Sequence, residues 1–158
     1  MNNFTTITGI LSRINFAFGA LLCLISVTGL LLMANAALLI PVLLTGAVVL
    51  HSYAALQLRR SVVDPFVPLD SKTPTGIRFI GYLALLFAVV NISNGIVILK
   101  DTDAVLAQVE MPAEASQFDM HAFLRGAAVI ILIFSASIVV NVLLNLLLLR
   151  KFMLENRS

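Results

Sequence analysis

Apolar residues along this 158-residue chain fall into four long runs, separated by two polar stretches and one short turn. The runs cover about residues 14–33, 38–58, 79–99 and 126–149, and none contains Asp, Glu, Lys or Arg. Each is long enough to cross a hydrocarbon core as an α-helix, which takes ~20 residues. Only Ala34-Asn35-Ala36-Ala37 separates the first two runs. A single helix through both would be ~67 Å long, about twice the core thickness, so the chain is expected to turn there. Pro41 then falls in the first turn of the second helix, where its missing N–H costs least. Residues 1–12 read as a mildly polar lead-in, 59–78 as one connecting loop and 100–125 as another. Within the latter, 104–111 is expected to form a short helix broken at Pro112. The predicted fold is a single all-α integral membrane domain, a four-helix bundle made of two in-out-in helical hairpins.

Composition strengthens this picture. Hydrophobic residues make up 60% of the chain and charged residues 11%, with a mean hydropathy of +1.05. Soluble domains carry about 45–50% apolar and about 25% charged residues, so polar side chains are too few to coat a water-exposed surface. Arg13, the first apolar run and Ala34-Asn35-Ala36 imitate a signal peptide. The run exceeds the ~7–15 residues of a signal core and a second run follows at once, so it is read as a retained transmembrane helix. Cys23 is the single cysteine, which excludes an intramolecular disulfide and a C-x-x-C site.

The distribution of charge gives an orientation. Arg13, the 59–78 loop (Arg59, Arg60, Lys72, Arg78) and Arg150, Lys151 and Arg157 fall on one side of a four-span chain. The uncharged 34–37 turn and the 100–125 loop, with Asp101, Asp103, Glu110, Glu114 and Asp119, fall on the other. The positive-inside rule places the basic side and both termini in the cytoplasm, and a bacterial cytoplasmic membrane is the expected location. Ser26-Val27-Thr28-Gly29 and Asn91-Ile92-Ser93-Asn94-Gly95 hint at a duplication of the two hairpins, although basic cytoplasmic ends are common to any such pair.

Helix faces supply the candidate chemistry. Lipid gives helices no hydrophobic reason to associate, so small and polar residues are expected at their contacts. Such residues recur at helical spacing as Asn15, Gly19, Cys23 and Ser26, as Gly81, Ala84, Ala88, Asn91 and Gly95, and as Ser137, Asn141 and Asn145. By depth, Asn15, His51, Ser52, Asn141 and Asn145 form a cytoplasm-side polar cluster, and Asn91 and Asn94 an outer polar pair. The cluster admits two readings: hydrogen bonds that fix packing, which is preferred, or a polar cavity for a small molecule or lipid headgroup. Arg59, Arg60, Lys72 and Arg78 are candidate contacts for anionic headgroups or a protein partner.

Several classes of function find no support. The runs lack the charged residues that mark ion-coupled transport and voltage sensing. A P-loop, a G-x-S-x-G elbow and a dinucleotide fingerprint are missing. A lone membrane His does not support bis-His haem ligation, and no cofactor or metal is expected. Glu110, Glu114, Asp119 and His121 are the weak exception, as oxygen-rich candidates for a metal or an outer-face enzyme site. The basic loop is interleaved with Asp64, Asp70 and prolines, so nucleic acid is not expected as a partner. The leading expectation is a non-enzymatic protein acting by association, as an accessory or assembly subunit or a homo-oligomer, with the bilayer as its solvent. A small transporter or small-molecule binder using the inner cluster is the alternative.

Overall fold

The structure is a computed structural model and describes residues 2–64, 66–108 and 119–155. Every regular element among these is helical: α1 (Asn2–Met33), a 3-10 turn (Ala36–Leu38), α2 (Leu39–Val63), α3 (Thr73–Lys100), α4 (Thr102–Leu106) and α5 (Met120–Glu155). Four of them, α1, α2, α3 and α5, are long and apolar enough to cross a membrane. They outrun the expected spans. At 1.5 Å per residue α5 is ~54 Å long, because nothing in 120–125 or 150–155 breaks a helix begun in the apolar run.

Three boundaries differ from expectation for the same reason. Residues 2–12 are the first turns of α1 and not a separate lead-in. Arg59 and Arg60 lie inside α2, and Arg78 lies inside α3, which starts with Pro74 in its first turn. The true connector therefore shrinks to 64–72. There Asp64 Oδ1 accepts from the Phe66 amide at 3.0 Å and Asp70 Oδ1 accepts from the Lys72 amide at 2.7 Å. The second loop forms α4 earlier than expected, at Thr102–Leu106, with the Asp101 carboxylate capping the Ala104 amide at 3.0 Å. Glu110, Met111, Pro112, Glu114 and Arg157 lie outside the described residues.

Contacts run around a ring, α1 on α2, α2 on α3, α3 on α5 and α5 back on α1. Between α1 and α2 they step from Gly9 at Arg59, through Gly19 at Val48, to Gly29 near Leu38, so sequence rises along one helix as it falls along the other. Two buried apolar clusters fill the ring. One holds Val48, Ala84, Phe87, Ala88, Ile138 and Val142. The other holds Leu58, Ile77, Leu148 and Leu149. Outside, large apolar side chains such as Leu24, Leu43, Phe79, Ile133 and Leu147 are exposed, whereas Ser12, Asn15, His51, Asn141 and Asn145 are buried.

The turn after α1 needs an unusual backbone. Ala34 sits at φ 49°, in the left-handed region that commonly closes helices, and its amide donates to the Leu30 carbonyl at 3.0 Å. Asn35 Oδ1 then accepts from the Ala37 amide at 2.9 Å and starts the 3-10 turn.

Candidate functional site

On three of the helices one residue of interest falls between the two apolar clusters. His51 lies between Val48 and Leu58 on α2, Gly81 between Ile77 and Ala84 on α3, and Asn145 between Val142 and Leu148 on α5. All five residues of the expected inner cluster are buried. Asn15, His51, Ser52, Asn141 and Asn145 are each 0–1% exposed.

Most of the cluster is a hydrogen-bond network between α1 and α5. Ser12 Oγ donates to Asn141 Oδ1 at 2.9 Å, and Asn145 Nδ2 donates to the same oxygen at 2.8 Å and to the Asn141 carbonyl at 2.7 Å. A longer contact of 3.4 Å joins Asn145 Nδ2 to Ser12 Oγ. Asn15 pairs reciprocally with Ser137: Ser137 Oγ donates to Asn15 Oδ1 at 2.9 Å, and Asn15 Nδ2 donates to the Ser137 carbonyl at 3.3 Å. Asn side chains offer both a donor and an acceptor, which is what a two-way link between helices needs.

A first span that begins at residue 14 leaves Ser12 outside the predicted polar stripe. A signal was present. Thr5, Thr8, Ser12, Asn15 and Gly19 are spaced three, four, three and four, continuing the stripe of small and polar residues back to the start of α1. All five are buried.

The α2 side of the cluster is different. Neither ring nitrogen of His51 has a hydrogen-bond partner of good geometry, and Ser52 Oγ and Asn145 Oδ1 have none. The His51 ring is packed against α3 where Gly81 makes room. A Cβ at Gly81 would lie 3.2 Å from His51 Nδ1 and Cε1, and 3.3 Å from Val142 Cγ1.

The remaining candidates are not gathered into one site. Asn91 turns back on its own helix, donating from Nδ2 to the Phe87 carbonyl at 2.8 Å, while Asn94 is exposed. Arg59 Nε donates to the Thr5 carbonyl at 2.9 Å, and its side chain lies across Gly9, where a Cβ would come within 2.5 Å of Nε. Arg60, Lys72 and Arg78 are exposed. In the second loop, His121 Nε2 lies 3.4 Å from Asp103 Oδ1, and Asp119 Oδ1 accepts from the Ala122 amide at 3.0 Å. Among the described residues no group of three His, Cys, Asp or Glu side chains is placed to hold a metal ion.

The structure also places charge at two ends. Arg59 meets α1 at Thr5, and Arg78 and Arg150 come together with Met153 and Leu154. At the other end Arg125 Nε reaches Thr102 Oγ1 at 3.4 Å, beside Asp101 and Asp103. No family model, curated protein or solved structure matches the chain.

Proposed function

We propose that the chain is a four-span integral membrane protein acting by association, as an accessory or assembly subunit or a homo-oligomer. Its two helical pairs each cross from the cytoplasm and return, with both termini and the 64–72 connector on the cytoplasmic side. The carrying observation is an inverted surface: polar groups are sealed in the layer between helices while apolar side chains face outward. A soluble protein sorts residues the other way, whereas in lipid small and polar contacts hold helices together. With its polar groups sealed inside, the molecule recognises other chains through apolar faces. Two open grooves interrupt these faces. One, of about 530 Å³, runs between Cys23, Leu43 and Leu50 and Phe79 and Leu83. The other, of about 300 Å³, separates Ile14 and Phe18 from Ile130 and Ile133. Native mass spectrometry after extraction in mild detergent is expected to give a complex of defined stoichiometry. A strictly monomeric species without partners contradicts the proposal.

A second reading, binding of a small polar molecule, draws support from His51, Ser52 and Asn145. Each keeps a buried polar atom without a hydrogen bond of good geometry, and a buried polar atom left unpaired costs about 1–3 kcal/mol. That reading requires a small-molecule adduct on the native protein that is lost in His51→Ala. A wild-type protein that carries no adduct rules it out.

A further inference from the structure

Arg78 and Arg150 are 72 positions apart by number, one in the second turn of α3 and the other near the end of α5. Their side chains nevertheless line one open pocket of about 170 Å³, together with Met153 and Leu154. Among the described residues, the one hydrogen bond from either guanidinium is weak: Arg78 Nη2 donates to Met153 Sδ at 3.5 Å. Among the described residues neither pairs with a carboxylate. Two guanidinium groups sharing a pocket repel each other until an anion lies between them, and their forked donors match the oxygens of a phosphate or a carboxylate.

We infer that this pocket binds the phosphate of an anionic membrane phospholipid. The inference rests on the membrane reading above. A lipid is favoured over a free phosphate by what leads away from the pocket. On the Arg78 face of α3, Tyr82 and Leu86 follow at successive turns, both exposed. On the Arg150 face of α5, Leu147 and Leu143 do the same. The two helices pack against each other, so the charged pocket opens onto adjoining apolar rows that fit acyl chains. Leu154, 61% exposed, stands at the pocket itself.

The full-length protein in nanodiscs of equal phosphatidylglycerol and phosphatidylcholine, released for native mass spectrometry, tests this. Wild type is expected to retain phosphatidylglycerol preferentially. The Arg78→Ala/Arg150→Ala variant should lose that preference by about tenfold or more, the scale of two basic residues at a charged surface. Arg60→Ala/Lys72→Ala removes the same charge outside the pocket, so its loss measures diffuse surface attraction and should be clearly smaller than that of the pocket variant. Leu154→Trp keeps both arginines but fills the pocket, so it should lose retention too, independently of any folding defect in the double variant. Equal losses in the two double variants would reduce the effect to diffuse surface charge and overturn the site. Unchanged retention in Arg78→Ala/Arg150→Ala overturns it as well. If millimolar inorganic phosphate displaces the lipid completely from wild type, the pocket is a free-phosphate site and the lipid assignment falls. Wild-type chain that fails to enter nanodiscs and remains in the soluble fraction would instead sink the membrane reading, which separates the two failures.

Discussion

Ser12 and Asn141 are 129 positions apart, yet they share a 2.9 Å hydrogen bond inside a sealed layer. Contacts of this kind in a membrane interior are worth about 0.6 kcal/mol on average and up to ~1.7. A double-mutant cycle of Ser12→Ala and Asn141→Leu, read by reversible unfolding in mixed micelles, should return a coupling in that range. A coupling of zero would mean the bond does not hold α1 on α5. His51 sets a second condition. Gly81→Ala places a methyl group against its ring and against Val142, and overpacking of this kind costs about 1–3 kcal/mol. The loss should shrink in a His51→Ala background, measured by the same unfolding assay. If the cost is the same in both backgrounds, His51 is not what Gly81 accommodates. Asn15, Asn141 and Asn145 were legible in the sequence because they recur at helical spacing with other small or polar residues, the pattern expected at a helix contact. Which atoms pair was not legible, since Asn donates and accepts in either direction. The orphaned nitrogens of His51 were illegible too, because they depend on how α2 and α3 approach at Gly81.

Elements were easier to read than their ends. An apolar run declares a helix through its length, but charge marks where lipid is expected to stop, and a helix does not stop there. Arg59, Arg60 and Arg78 illustrate this, since each sits in a helix that continues past the expected span. Proline was the better boundary marker: Pro68 lies in the 64–72 connector and Pro74 in the first turn of α3. At the other end of the molecule Ala34 carries the left-handed conformation that ends α1. That conformation costs an L-residue roughly 1–2 kcal/mol, more than the ~0.5–1 kcal/mol of chain entropy that glycine adds. Ala34→Gly should therefore raise stability by about 0.5 kcal/mol, seen as a higher melting temperature in detergent. A lower one would mean that Ala34 is not strained there.

At the scale of the whole molecule, the two ends differ in charge while the sides are apolar. Of the basic groups that the sequence suggests share one side, Arg59 of α2 packs against α1 at Thr5, and Arg78 lies beside Arg150. The proposed orientation predicts that a fluorescent protein fused after Ser158 will glow, whereas alkaline phosphatase fused after Asn35 will be active. The reverse pattern would invert the molecule in the membrane. Position along the chain gave the order of the four helices, but how they close into a ring depends on side-chain fit at Gly9, Gly19, Gly81 and Gly95. That fit leaves little trace in composition, because glycine and alanine also occur on outward faces.

Recognition through the outer faces requires above all that the polar layer be sealed. Cysteine accessibility measures this directly. In a Cys23→Ala background, single cysteines at positions 51, 141 and 145 are exposed to a membrane-impermeant thiol reagent from the cytoplasmic side, with Lys72→Cys in the connector as the accessible control. The expected result is full labelling at 72 and protection at 51, 141 and 145, released only when detergent and heat unfold the chain. Labelling of 51 and 145 in the native membrane at a rate close to that of 72 would show an open polar cavity, and would contradict a bundle held by its core and acting through its surface.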